Sequence, residues 1–339
     1  MQSFENLNQS VIGLSQLILK KGIWRDVRGV RCLEYPTPLM VEITNPTDRY
    51  VTIPERKWNK TLPWVESLWI LLGLNDLDTL PGNYVNSLYK YSDNGRTWRA
   101  GYGPRIRCFE GTSSDYDVYD PKLKHISTGY TGRIDQLKYV VDALKKDINT
   151  RQAIIEIGDP VKDDFLPGGK HLKVTKDYPC TRSLQFMVVD GKLNLTTYIR
   201  SNDLVFGFSA VNVFNFTLMQ EYIASILNIP VGKYYHVINN LHVYDNFVQK
   251  TEDFAKYDLS DFPSKQYTYP IQISSLEELD SLALNLLHYE RDLRFNHIEY
   301  MPSFGNTLFE DWAKVFYKYH YPDKTVNFSN PLLNTLYYV

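Results

Sequence analysis

Apolar side chains at Phe4, Leu7, Val11, Leu14, Leu17 and Ile18 recur every three or four residues. That spacing predicts an amphipathic helix over 4–20, ended near Gly22. The segment Trp24-Arg25-Asp26-Val27-Arg28-Gly29-Val30-Arg31 reads as a cationic turn before a strand-like run to Tyr35, and residues 38–45 read as a strand. Residues 63–73 are apolar on most faces. Pro63 suits the first turn of a helix there and Gly73 its end. Turn formers fill 92–105. Ile134, Leu137, Val140, Val141 and Leu144 mark one face of a helix over 133–147, and a strand follows at 153–157. Polar stretches at 111–131 and 159–177, the second containing Pro167-Gly168-Gly169, read as loops.

Two apolar runs, 184–189 and 193–199, flank Asp190-Gly191, a pair that favours a tight hairpin turn. A long amphipathic run from about 210 to 227 predicts a helix, and 234–243 a strand. Ser275-Leu276-Glu277-Glu278 has the form of a capping box and opens a helix to about 291. A last helix is expected over 307–319, followed by an irregular tail over 321–339. The pattern predicts one α+β domain over 1–253 with a helical C-terminal extension over 254–339. No repeat interrupts it.

Composition narrows the function classes. Charged residues make up 22% of the chain and the net charge is −2, which gives no sign of a surface built to coat nucleic acid. An anionic ligand would need local arginines. No apolar run reaches the roughly 18–20 residues that span a bilayer, and no basic segment leads into a signal-like core. Cys32, Cys108 and Cys180 are far apart, without a Cys-x-x-Cys pair. Neither a zinc site nor a disulfide framework is expected, and a reducing cytoplasm is the default compartment.

The chemistry-bearing groups concentrate in 178–246. Cys180 is a thiol, Arg200-Ser201-Asn202-Asp203 joins a guanidinium to a hydroxyl and a carboxylate, and His242-Val243-Tyr244 adds two polar rings. Each has a plainer reading: a buried structural cysteine, a solvated turn, a strand satisfied by its backbone. Glu66 lies in the apolar run 63–73, where a carboxylate is costly to bury unless paired. It is either functional or on a thin solvent-facing side. Gly101-Tyr102-Gly103-Pro104 has two glycines at dinucleotide-loop spacing but lacks the third, so that signal is discarded.

Pro179-Cys180, the strand pair after it, Arg200-Ser201-x-Asp203, a helix opened by an asparagine, and His242-x-Tyr244 resemble, in order and spacing, the signature of the thymidylate synthase and pyrimidine hydroxymethylase superfamily. Weaker matches at Glu66, Tyr102-Gly103 and Arg151 extend the resemblance over about 7–250. It implies a mixed sheet with surrounding helices and a homodimer. It also implies one-carbon transfer from 5,10-methylenetetrahydrofolate to carbon 5 of a pyrimidine nucleoside monophosphate, dUMP or dCMP, without a metal. A thiolate added to carbon 6 makes carbon 5 nucleophilic, and Cys180 takes that role. A nearby arginine would favour its ionised form.

By the same resemblance Glu66 organises proton transfer and Tyr102 stands near the reacting carbon. Arg200 and Ser201 bind the phosphate, for which a guanidinium offers two parallel hydrogen bonds. Arg151 reaches the phosphate of the partner subunit, although Gln152 stands where a second arginine is expected. An N-terminal arginine is expected as well. Strict register puts Val27 there, leaving Arg28 and Arg25 as candidates. Asp203 matches the carboxylate beside the pterin, and His242 and Tyr244 match the groups that bind the sugar hydroxyl. The base edge falls on Asn212 once a single insertion within 207–211 is allowed. An amide suits uracil, whereas a carboxylate would suit cytosine.

Three details lean toward a hydroxymethyl product. Thr181 follows Cys180 where synthases usually carry His. The runs around Arg200 and His242 resemble phage-type hydroxymethylases. The usual synthase ending is not recognisable in 333–339. Reductive methylation to dTMP is the alternative. A non-catalytic nucleotide- or RNA-binding relative would have lost the thiol or the phosphate arginine, yet Cys180, Arg200, Asp203 and Glu66 are all present. The resemblance places such an enzyme in the cytoplasm of a bacterial or phage-infected cell.

Overall fold

The computed structural model describes residues 1–27, 29–109, 134–164, 174–270 and 272–338. The expected loop over 111–131 and the Pro167-Gly168-Gly169 turn lie outside these residues. The strands are β1 (Gln2–Phe4), β2 (Ile23–Val27), β3 (Val30–Glu34), β4 (Leu39–Ile43) and β5 (Ile154–Glu156). They continue as β6 (Thr181–Val189), β7 (Lys192–Ile199), β8 (Asn202–Asp203), β9 (Val231–Ile238) and β10 (Leu241–Tyr244). The helices are α1 (Leu7–Lys21), α2 (Leu62–Leu71), α3 (Pro81–Tyr84), α4 (Tyr102–Arg107), α5 (Gln136–Lys146) and α6 (Pro160–Asp163). After them come α7 (Val213–Ile226), α8 (Val248–Phe254), α9 (Leu276–Phe295), α10 (Thr307–His320) and α11 (Pro331–Tyr338). This is a mixed α+β fold. The chain divides into two compact units, one of residues 1–63, 186–272 and 325–339, the other of 64–185 and 273–324.

In the first unit, α1 starts where Asn6 Oδ1 accepts the Gln9 amide at 2.9 Å, a side-chain cap on an otherwise unpaired N–H. Its buried stripe is Leu7, Val11, Leu14 and Ile18, as the periodicity predicts. One sheet runs β1-β4-β9-β7-β6. β1 is parallel to β4, β4 antiparallel to β9, and β7 parallel to β9. Asp190 and Gly191 join β6 to β7 with φ of 50° and 71°, the left-handed pair that a two-residue hairpin turn requires. Alternate side chains Leu193, Leu195, Thr197 and Ile199 of β7 are buried, as are Tyr234, His236 and Ile238 of β9. Gln220 of α7 ties the helix to both strands, its Nε2 donating to Leu193 O at 2.7 Å and Lys233 O at 3.1 Å.

A second sheet in this unit runs β2-β3-β10-β8. The cationic segment 24–31 is its edge hairpin, with Arg25 paired to Glu34 at 3.3 Å. The run 234–243 is not one strand. The Asn239 amide donates to Ile199 O at 2.9 Å, while Asn240 O accepts from the Asn202 amide at 2.8 Å. The chain therefore leaves the first sheet at 238 and enters the second at 241. The expected helix at 210–227 is preceded by a π-helical turn, Leu204–Asn212, capped by Asp203. Arg56 braces that turn from inside, donating to Val205 O at 2.6 Å and Ser209 Oγ at 3.1 Å. The tail is not irregular. Pro331 pre-sets a helical φ, Asn330 Oδ1 caps the Leu332 amide at 3.0 Å, and α11 buries Leu332, Leu333 and Leu336.

In the second unit α9 packs on α10. Trp312 of α10 donates its indole N–H to Trp64 O at 3.1 Å, with the two rings 5.4 Å apart. Two buried arginine clusters hold the loops. Arg107 bonds Asp135 at 2.8 Å and Asp280 at 3.0 Å, while Arg99 and Arg105 meet on Asp163 at 3.0 and 2.7 Å. β5 pairs antiparallel with the first half of β6, Ile155 opposite Leu184.

Candidate active site

Cys180 is the residue before β6, in the second unit, and is half-buried. Its Sγ lies 3.9 Å from Tyr178 O. The loop leading to it is held through Asp177. The Ala100 amide donates to Asp177 Oδ2 at 2.8 Å, and Arg99 donates to Asp177 O at 2.7 Å. Burial pushes the Asp177 carboxyl up to about 6. Neither Asp177 nor Arg99 was singled out from the sequence. Their pairing depends on residues 77 or more positions apart, so only the fold reveals it.

Tyr102 opens α4, and its hydroxyl oxygen accepts from the Thr181 amide at 3.3 Å and from Thr181 Oγ1 at 3.0 Å. Burial, reinforced by the neighbouring Cys180, raises the phenol well above its ordinary value. Tyr102 therefore keeps its proton and can donate it. Thr181, fully buried, joins the Cys180 strand to the Tyr102 helix. Glu66 on α2 is only 9% exposed, which removes the solvent-facing alternative. Arg151 is exposed ahead of β5, with its carbonyl accepting from Gln185 Nε2 at 3.2 Å. These four residues belong to the second unit.

The first unit carries the other set on β8, β10 and the π-turn. In the parallel pairing of β8 with β10, Asp203 stands opposite His242. Burial raises the Asp203 carboxyl and lowers His242, and each group's charge opposes the other's shift. Asp203 Oδ2 accepts from the Phe206 amide, and from Gly207 at 3.4 Å. Its Oδ1 is buried without a hydrogen-bond partner among the described residues. A buried carboxyl oxygen in that condition calls for a donor.

Asn240 Oδ1 lies 3.0 Å from His242 Nδ1 and 3.5 Å from Ser201 Oγ, so both share one acceptor. That bond puts the imidazole proton on Nδ1 and leaves Nε2 as an acceptor. The His242 and Tyr244 rings meet edge to face at 5.1 Å and 85°. Arg200 is half-buried at the end of β7, and its charge acts on His242. Asn212 ends the π-turn, 8% exposed, with its Oδ1 accepting from Asn202 Nδ2 at 3.0 Å. Arg28 lies outside the described residues. Arg25, its alternative, is exposed on β2 and paired with Glu34. Sequence reasoning passed over Asn240 and Asn202. The Asn239-Asn240 pair inside an apolar run was the available signal for the first.

Among the described residues, no group of three or more His, Cys, Asp or Glu side chains is arranged to hold a metal ion. No helix there is long and apolar enough to cross a membrane. The family model described as thymidylate synthase matches residues 12–300, starting inside and ending beyond the 7–250 over which the motifs resemble that family. The chain is 34% identical over 250 residues to the deoxyuridylate hydroxymethyltransferase of Bacillus phage SP01, covering 73% of this chain and 60% of that protein. It is 29% identical over 236 residues to the protein so named from Pseudomonas phage M6, covering 69% and 59%. A third, from Delftia phage PhiW-14, is 26% identical over 227 residues, covering 66% and 56%. The matched stretch thus spans somewhat under two thirds of each relative. With the family model matched over most of its length, the chain belongs to the thymidylate synthase family.

Proposed function

We propose that the protein transfers a one-carbon unit to carbon 5 of dUMP and leaves it there as a hydroxymethyl group. The observation that carries the reading is the similarity to three phage proteins named deoxyuridylate hydroxymethyltransferase, joined to a half-buried thiol at Cys180. In this reading Cys180 adds as thiolate to carbon 6, and the displaced electron pair makes carbon 5 nucleophilic. Once the new bond at carbon 5 has formed, that carbon gives up its proton. As the proton leaves, the bond joining the one-carbon unit to the folate nitrogen breaks. Water then adds to the methylene left on carbon 5 and supplies the hydroxyl, and loss of the carbon–sulfur bond restores the thiolate. Glu66 and Tyr102, one a buried carboxyl and the other a phenol that keeps its proton, manage the protons around the ring.

Arg200 and Ser201 hold the phosphate. His242, through Nε2, and Tyr244 bind the sugar hydroxyl, and Asn212 reads the base edge. Bound methylenetetrahydrofolate supplies the one-carbon unit. Asp203 fits it, because a buried carboxyl oxygen lacking a partner among the described residues suits a ring N–H donor. The same reading makes the protein a homodimer, with the exposed Arg151 serving the partner's phosphate.

The test incubates the protein with methylenetetrahydrofolate and, separately, dUMP, dCMP, UMP and CMP, with product masses read by mass spectrometry. Hydroxymethyl-dUMP is the expected product. A methyl product with dihydrofolate formed would replace this reading by thymidylate synthesis. No product from any of the four would leave a non-catalytic binder.

A further inference from the structure

Accepting the nucleotide reading above, we propose that Asn202 is a positioning residue that decides which pyrimidine the protein takes. It fixes the Asn212 amide with its NH2 group directed away from Asn202, toward a carbonyl, and so selects uracil over cytosine.

A relay of four side chains in the first unit ends on Asn212. Tyr234 Oη lies 2.6 Å from His236 Nδ1, His236 Nε2 lies 2.8 Å from Asn202 Oδ1, and Asn202 Nδ2 lies 3.0 Å from Asn212 Oδ1. Tyr234 and His236 are fully buried, Asn202 is 2% exposed and Asn212 is 8% exposed. The direction of the relay follows from counting protons. A neutral imidazole has a single N–H, and burial holds His236 neutral by lowering it to about 3. A buried phenol must place its proton on an acceptor; Nδ1 stands 2.6 Å away, whereas the neighbouring Thr197 Oγ1 makes no hydrogen bond among the described residues. The ring proton is then on Nε2, which can only donate. Asn202 therefore turns Oδ1 to the imidazole and Nδ2 to Asn212. Asn212 turns Oδ1 inward, and its Nδ2 remains for a ligand.

Two neighbours hold this arrangement. A Cβ at Gly207 would lie 2.3 Å from Asn202 Nδ2 and 2.9 Å from Asn212 Oδ1, so a larger residue there would break the contact. The Phe208 ring stands edge to face on His236 at 5.1 Å and 87°. An amide alone offers either face by flipping. With the relay in place, only the donor face is offered. Uracil presents a carbonyl at carbon 4 and cytosine an amine, so cytosine would set donor against donor.

The test measures Kd of dUMP and of dCMP by calorimetry for the wild type, Asn202→Asp and Tyr234→Phe. A carboxylate at 202 accepts from both His236 and Asn212, which turns Asn212 Oδ1 toward the ligand. The wild type should prefer dUMP by about 10-fold or more, and Asn202→Asp should move that ratio toward dCMP by about 10-fold or more. Tyr234→Phe, lacking the hydroxyl that sets the imidazole tautomer, should reduce the ratio with its melting transition retained. A merely structural relay would weaken both nucleotides equally. An unchanged ratio in variants that still bind overturns the proposal, as does a wild type that prefers dCMP. If Asn202→Asp does not fold, the ratio in Tyr234→Phe decides alone. Binding of neither nucleotide by the wild type would instead remove the nucleotide reading, and this inference with it.

Discussion

His242 faces Asp203 across the parallel pairing of β8 and β10, and each opposes the shift that burial imposes on the other. Burial lowers His242 below 6.5 and raises Asp203 above 3.8. For His242 the unfolded chain binds the proton more readily, so its share of stability is lost as the pH falls through 6.5 toward the lower native value. For Asp203 the native state holds the proton more readily. Its share is present below 3.8 and lost as the pH rises through the raised native value. Replacing Asp203→Asn removes the charge that supports protonation of His242. The His242 titration midpoint, followed by NMR of its ring protons, should fall further. A rise or no change would contradict the pairing.

Asp177 gives a second pH signature. Its native value of about 6 stands above the ordinary 3.8, mainly through burial. Its contribution to stability is therefore present below 3.8 and lost as the pH rises through 6. Asp177→Asn keeps an oxygen for the Ala100 amide and has no charge to desolvate. The variant should be more stable than the wild type at pH 7–8 by about 1–3 kcal/mol, with the gap closing at acid pH. Urea melts at pH 4 and pH 8 check this. A variant less stable at pH 8 would show that the charge is needed.

Arg107 is fully buried between Asp135 and Asp280. Burial alone would lower its guanidinium, but the two carboxylates outweigh it and hold the value raised. Arg107→Met leaves two buried carboxylates without their cation and should cost about 3–5 kcal/mol by urea unfolding. A loss under about 1 kcal/mol would mean that solvent already reaches the site.

Much of the architecture was legible because it rests on local patterns. The stripe of α1, the Asp190-Gly191 hairpin, the Ser275 cap and the apolar run of α2 each appear in a short window. The errors share a cause, which is dependence on distant partners. Residues 234–243 look like one apolar run, yet the amides of Asn239 and Asn202 divide it between two sheets. The π-turn before α7 is stabilised by Arg56, some 150 residues away. Asn330-Pro331 is a local helix start that was passed over in a tail without strong periodicity. Of the candidate site residues, Cys180, Arg200, Asp203 and His242 stand out in the sequence as a motif. Asn202, Asn240 and Asp177 do not, because their roles depend on His236, on Ser201 and His242, and on Ala100.

Arg200 carries the phosphate assignment. Arg200→Ala should weaken dUMP binding by about 2–5 kcal/mol, if the ion pair it forms is desolvated, with the fold retained. Calorimetry of dUMP and of deoxyuridine separates the two roles open to it. The expected loss is confined to the nucleotide. An equal loss for the nucleoside would assign Arg200 to the sugar or base.

In the proposed reaction Cys180 must add to carbon 6 before carbon 5 can take the one-carbon unit and give up its hydrogen, so the direct measurement is tritium release to water from dUMP labelled at carbon 5. With methylenetetrahydrofolate present, the wild-type protein should release tritium, and Cys180→Ser should lower the rate by about 10³-fold or more while still binding dUMP. Release at the wild-type rate from Cys180→Ser, or none from the wild type, would contradict the account.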